Sequence, residues 1–185
     1  MRRLIAVTTA AALALGVVGA TSANGDSSRN SFKAELSGYQ EVPAISTTGT
    51  GRLILSVNPA GTQISYSLTY SALQGGSATA AHIHFAQTSV IGAPVAFLCG
   101  GGGLNPACPA GGGTVTGTIA AGNILAVPAQ GIAAGDLAAV LKAMRSGVTY
   151  ANVHSTSFSG GEIRGQIPGH GNGGRGGHGD QGGND

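Results

Sequence analysis

Alternation of apolar and polar positions dominates the middle of this chain. The clearest case is the segment 63–70, in which every second residue is apolar: Ile64, Tyr66, Leu68 and Tyr70. Because successive side chains of a strand point to opposite faces, this period of two predicts a strand with one face in the core. Seven further segments carry strand patterns bounded by turn residues: 32–36, 52–57, 80–86, 94–99, 114–119, 149–154 and 162–167.

One segment follows a helical period instead. Its apolar residues are spaced at three and four: Leu137, Val140, Leu141 and Met144. Asp136 precedes this run and Gly147 follows it, as expected for the two ends of a short amphipathic helix. Many short strands with one helix in a connection predict an all-β fold, an antiparallel β-sandwich of Greek-key type.

Composition divides the chain into four zones. Residues 1–23 have the pattern of a signal peptide, with Arg2 and Arg3, an apolar run and a small-residue cleavage site at Ala23. Residues 24–30 form a polar leader, and 31–168 carry the strand patterns. Residues 169–185 are almost without apolar side chains, which predicts a disordered tail. Cleavage would give a secreted protein of the extracellular space or cell envelope, whereas an uncleaved signal would remain as a membrane anchor.

Charge excludes two classes of partner. The chain has nine basic and seven acidic residues, and loss of Arg2 and Arg3 would leave seven of each. A neutral chain has no basic surface for nucleic acid or for anionic membranes. With no tryptophan, the chain also lacks the residues of a base-stacking platform.

The two cysteines, Cys99 and Cys108, flank a glycine-rich loop. In an exported chain such a pair is expected to form a disulfide. A pair of metal-binding thiols is the alternative, although the C-x2-C spacing typical of such sites is absent.

Histidines supply the candidate chemistry. On a strand, His82 and His84 share one face while Ile83 and Phe85 occupy the other. If 149–154 and 162–167 form a hairpin, His154 lies opposite Glu162, and Asn152 lies opposite Arg164. Should the strand bearing His82 lie beside this hairpin, three imidazoles converge. Glu162 would then either orient one of the imidazole rings through a hydrogen bond or be a fourth ligand, in a site that suits Cu2+ or Zn2+.

Other interpretations of these residues remain open. The histidines could be ordinary polar residues of a solvated sheet face, and Arg164 is expected to form an ion pair there with Glu162 or Glu35. Glu41 precedes Val42 and Pro43, and we expect it to cap a loop rather than approach the histidine face. A His-x-His strand is analogous to the copper site of copper–zinc superoxide dismutases, but the bridging histidine of those enzymes has no counterpart here.

Several short motifs together resemble the chordin-type (CHRD) domain over about residues 32–167. They are Gln-Glu-Val-Pro at 40–43, Ala-Ala-His-Ile-His at 80–84, Cys-Gly-Gly at 99–101, Cys-Pro at 108–109, Asn-Val-His at 152–154 and Gly-Glu-Ile-Arg-Gly-Gln-Ile at 161–167. The resemblance implies the small, exported microbial form of this domain. The chain lacks cysteine-rich modules, so antagonism of growth factors is not implied.

Together these observations predict an exported, non-enzymatic protein that binds a transition metal, copper before zinc, through His82, His84 and His154. The alternative is an extracellular interaction or matrix module that recognises a protein or a glycan. A metal-dependent redox enzyme is the third hypothesis. No motif for a hydrolytic triad or a phosphate-binding loop stands out, so no catalytic residue is predicted.

Overall fold

The computed structural model describes residues 30–101 and 105–170. Within these ranges the chain forms a helix and eight strands in the predicted segments, with small shifts at their ends. In chain order the elements are β1 Ser31–Ser37, β2 Thr50–Val57, β3 Gln63–Ser71, β4 Ala78–Phe85, β5 Ala93–Gly100, β6 Gly113–Ala120, α1 Leu137–Arg145, β7 Thr149–Ser155 and β8 Ile163–Ile167. For the residues that the structure describes, the prediction of an all-β fold with one short α-helix is confirmed.

All eight strands belong to one antiparallel sheet in the order β5-β4-β7-β8-β1-β2-β3-β6. Strands β1, β2, β3 and β6 form one regular block, and β5, β4, β7 and β8 form the other. The two blocks meet where Ser37 of β1 pairs with Arg164 of β8. Because this pairing joins them into a continuous sheet, the predicted two-sheet sandwich with Greek-key connections is not confirmed.

The sheet curls until its two outer strands come close, which makes the fold nearly barrel-like. The Tyr66 hydroxyl on β3 donates a hydrogen bond to the carbonyl of Leu98 on β5, at 2.6 Å. A disulfide between Cys99 and Cys108 ties the segment that leads to β6 onto β5. The predicted disulfide is therefore confirmed, and it lies at the seam of the sheet.

One hydrophobic core fills the interior. Strands β1, β2 and β3 bury every second residue, as their alternation predicted. Helix α1 adds its apolar face: Leu137, Val140, Leu141 and Met144 are all buried in the same cluster. The Asp136 carboxylate caps the helix by accepting a hydrogen bond from the amide of Ala139 at 2.9 Å.

The predicted signal peptide, residues 1–23, lies outside the described residues. The same holds for the predicted leader except Asn30, and for the predicted tail except Gly169 and His170. None of the helices in the described ranges has the length and apolar character needed to cross a membrane.

Candidate metal site

Two neighbouring strands position the three histidines. In the antiparallel pair β4–β7, His82 lies opposite Asn152, His84 opposite Tyr150, and Ala80 opposite His154. The residues between them, Ile83 and Val153, are fully buried in the core. The histidines therefore lie on the sheet face that points away from the core, as the period of two predicted.

The imidazoles approach one another to distances near those of a metal site. One ring nitrogen from each of the three histidines lies within 4.8 Å of the others. The closest pair is His82 Nδ1 and His154 Nε2, at 3.0 Å. Nitrogens bound at about 2.0–2.1 Å to one tetrahedral zinc lie about 3.3 Å from each other. Small side-chain movements would bring the ring nitrogens of the cluster from their observed separations to about this distance.

Backbone carbonyls fix the protons of two of these rings. His84 Nδ1 lies 2.9 Å from the carbonyl oxygen of Gly92, and His154 Nδ1 lies 2.8 Å from that of Ser159. A carbonyl oxygen only accepts, so each Nδ1 carries the hydrogen and each Nε2 keeps its lone pair. Metal-binding histidines are commonly held in this way by their second nitrogen. His84 Nε2 is buried and has no hydrogen-bond partner among the described residues.

Burial keeps the cluster uncharged. It lowers the pKa of His82 to about 3, with smaller contributions from His154 and His84. Burial also lowers the pKa of His84 and of His154. It outweighs the hydrogen bonds of His84 to Gly92 and Asn152 and of His154 to Ser159, which act in the opposite direction. All three rings are therefore neutral at neutral pH, the form in which imidazole binds a metal.

Aromatic rings surround two of the imidazoles. Phe97 of β5 packs edge-on against His82, with ring centroids 4.4 Å apart. Tyr150 stacks almost parallel on His84, at 4.7 Å between centroids. These contacts hold the rings in place and help to exclude water from them.

The structure does not bring Glu162 into this cluster. Its carboxylate accepts hydrogen bonds from the Thr47 hydroxyl (2.6 Å) and from the backbone amides of Gln74 (2.6 Å) and Gly75 (3.0 Å). Burial acts to raise the pKa of Glu162, but hydrogen bonds from Ser155, Thr47 and the two amides outweigh it, and the pKa is lowered. The carbonyls of Gly92 and Ser159 take the orienting role that was expected of Glu162.

Arg164 lies opposite Asn152 in β7–β8, as predicted, but its expected ion pair is wrong. The side chain is buried and donates from Nη2 to the carbonyls of Gln87 (3.2 Å) and Val90 (2.9 Å). Its guanidinium carbon lies 3.4 Å from the centroid of the Tyr150 ring. Glu35 instead pairs with Lys33, at 2.7 Å. The covering loop, rather than a carboxylate, satisfies this arginine.

Glu41 departs from the expectation that it caps a loop and stays away from the histidine face. Its backbone amide closes a short 3-10 turn by donating to Gly38, but its side chain is buried beside Asn152. Burial raises the pKa of Glu41 to about 7, against lowering by Arg164, the Val42 amide and Asn152. Glu41 lies in a loop without periodicity, so its motif at 40–43 was the one signal that marked it.

Gly161 allows this approach of Glu41 to β7. A Cβ atom at position 161 would overlap both Glu41 Oε1 and Asn152 Nδ2, and the backbone there has a φ of +126°. Only glycine adopts such a conformation readily. The loop between β7 and β8 is thus shaped to leave room for the carboxylate and the amide.

The fold and the histidine cluster define a small β-rich domain with a candidate metal site, and the sequence comparison agrees with the resemblance seen in the motifs. The chain matches the CHRD domain over residues 32–167 and belongs to that family. Domains of this family are typically extracellular. Neither the curated proteins nor the solved structures contain a match to this chain.

Proposed function

We propose that this chain is an exported, non-enzymatic CHRD-domain protein that binds a transition-metal ion, copper before zinc, through His82, His84 and His154. The observation that carries the proposal is the meeting of three neutral imidazoles on one covered sheet face, with ring nitrogens within 4.8 Å of one another. Three protein ligands would leave a coordination position open for a further group.

The residues fit such an ion. His84 Nε2 is a buried lone pair that no described donor satisfies, and a bound cation would satisfy it. Imidazole suits both copper and zinc, and Cu2+ stands above Zn2+ in the general order of affinities. The described part of the cluster offers no thiolate or carboxylate, which are the donors that would favour other metals.

Export supports the same assignment. The predicted signal peptide directs the chain out of the cytoplasm, and the Cys99–Cys108 disulfide fits an oxidising compartment. Copper in such a compartment meets fewer competing thiols, so imidazole sites can retain it.

Isothermal titration of the purified chain with Cu2+ and Zn2+ tests the proposal. We expect one tight site in the wild type and its loss in His82→Ala/His84→Ala. His170→Ala is the matched control, because this ring packs against Phe32 with centroids 4.4 Å apart and is not part of the cluster. Equal weak binding by the wild type and the double variant would discard the site.

A second candidate function is an extracellular interaction module for a protein or a glycan. Its support is the pair of large exposed apolar side chains Tyr39 and Ile91, which are 74% and 71% exposed. Tyr39 borders a cleft of about 200 Å³ together with Thr88 and Ser89. A pull-down from culture supernatant, repeated with a chelator and with the histidine variant, tests this function. Capture of a defined partner that ignores both changes would favour it over metal binding.

A further inference from the structure

Asn152 occupies the centre of the histidine face. It lies directly opposite His82 across the β4–β7 pair and two residues before His154 on the same strand. His84 is the diagonal neighbour, two pairs further along the ladder and on the same face. Asn152 is only 2% exposed, so its polar side chain is buried on the face that also carries the three imidazoles.

The amide of Asn152 has one satisfied end and one unsatisfied end. Its Nδ2 lies beside the Glu41 carboxylate, where an amide donor is favoured. Its Oδ1 is buried and has no hydrogen-bond partner within the described ranges. His84 Nε2 is also buried and unpartnered, and it lies near enough to Asn152 for a hydrogen bond to that side chain to raise the pKa of His84. While His84 is neutral with its hydrogen on Nδ1, Nε2 and Asn152 Oδ1 are both acceptors and cannot satisfy each other, whereas one cation can satisfy both.

We propose that Asn152 Oδ1 is a fourth ligand to the metal held by the three histidines, and that Glu41 is the positioning residue that orients the Asn152 amide. The site then has three nitrogen donors and one neutral oxygen donor. The Glu41 carboxylate polarises the amide through Nδ2 and makes Oδ1 a better donor, as outer partners of metal ligands commonly do. This inference rests on the proposed metal site, and it assigns that site two residues outside the histidine set.

Copper binding and the electron paramagnetic resonance spectrum of the Cu2+-loaded full chain test the inference. We expect Asn152→Ala to weaken Cu2+ binding and Glu41→Gln to weaken it by about tenfold or more. Asn152→Asp keeps an oxygen donor and adds a negative charge, so it should bind Cu2+ at least as tightly as the wild type. Each of the three substitutions should shift the copper hyperfine splitting, because the equatorial donor set or its polarisation changes.

Matched controls separate this role from folding. Asn123→Ala and Glu35→Gln alter an asparagine and a glutamate that are exposed at other places in the fold, and both should leave affinity and spectrum unchanged. Circular dichroism checks that each variant folds. If Asn152→Ala does not fold, the near-isosteric variants Glu41→Gln and Asn152→Asp still test whether Asn152 binds the metal.

Two results would overturn the inference, and they are distinguishable. If all three variants keep the wild-type affinity and hyperfine splitting while His82→Ala/His84→Ala loses copper, the histidine site stands and Asn152 is not a ligand. If the wild type itself binds no copper, the proposed function and this inference fall together.

Discussion

The two blocks of the sheet treat their outer faces differently. In β1, β2 and β3 the residues that point away from the core are mostly exposed. In β7 nearly every residue is buried, and in β8 the same holds, so both faces of these strands are covered. Loops that contain Gln87, Gly92 and Ser159 lie over the second block, and their carbonyl oxygens accept hydrogen bonds from its side chains.

The difference in burial between the two outer faces indicates which polar side chains have a specific role. A polar side chain on the open block is satisfied by water, and its identity matters little to stability. The covered face of the second block carries His84, Asn152 and Arg164 instead of apolar residues. Burial without partners is costly for such groups, so a chain that only needed packing would use apolar side chains there. We take the polar character of this covered face as the mark of a binding site.

The largest effect should come from Arg164 on the covered face, with Arg52 on the open block as its matched control. Arg164→Ala removes two hydrogen bonds to loop carbonyls and the contact with Tyr150, and we expect a loss of about 3 kcal/mol in the free energy of unfolding. Arg52→Ala on the open block should change it by less than about 0.5 kcal/mol, because that side chain is exposed. Urea denaturation of both variants checks this. Equal losses would remove the distinction between the blocks.

A smaller effect is expected for the matched pair of glutamates. Glu162→Gln places an amide NH2 among the Thr47 hydroxyl and the amides of Gln74 and Gly75, which are all donors to the present carboxylate. We expect a loss of about 2 kcal/mol. Glu35→Gln, on the open block, should cost less than about 1 kcal/mol. Denaturation at pH 7 measures both, and a harmless Glu162→Gln would show that its hydrogen bonds contribute little.

The change in the free energy of unfolding of the metal-free protein between pH 7 and pH 6 should be smaller than the effects of Arg164→Ala and Glu162→Gln. The folded chain keeps its histidines neutral, since their pKa values are lowered, while the unfolded chain protonates them near pH 6.5. Stability should therefore fall as the pH drops from 7 to 6. Glu41, with a pKa raised to about 7, opposes this fall because the folded state takes up its proton in the same range. Three histidines outweigh one carboxyl, and partial exposure limits the net change to about 1 kcal/mol.

Two variants sharpen the sign of this dependence. Glu41→Gln removes the opposing group and should steepen the fall in stability between pH 7 and 6. His82→Ala/His84→Ala removes two of the groups that cause it and should flatten the fall. Guanidinium denaturation at the two pH values measures each slope, and a slope that ignores both substitutions would contradict the assigned protonation states.

The sequence predicted the elements well because each strand repeats its pattern over several residues. Alternation placed Ile83 and Val153 in the core and put His82, His84 and His154 on the opposite face. Hairpin pairing set Asn152 opposite Arg164, as observed. These features depend on local period and on short loops, which a single sequence displays directly.

Three features depended on contacts that no local pattern records. The joining of the two blocks rests on one pairing between Ser37 and Arg164, so a continuous sheet could not be told from a sandwich. Glu162 precedes the first residue of β8, and its side chain is held by Thr47 and by amides distant in sequence. Glu41 lies beside Asn152 on the histidine face, where Gly161 of the β7–β8 loop leaves room for its carboxylate. Each of these three features is set by contacts between residues distant in sequence and not by the period of a strand.

A crystal of the full chain soaked with copper and measured at the copper absorption edge tests the central claim most directly. The account predicts one strong anomalous peak within bonding distance of His82, His84 and His154. A peak that lies elsewhere on the chain, or none at the cluster under conditions that load copper in solution, would contradict it.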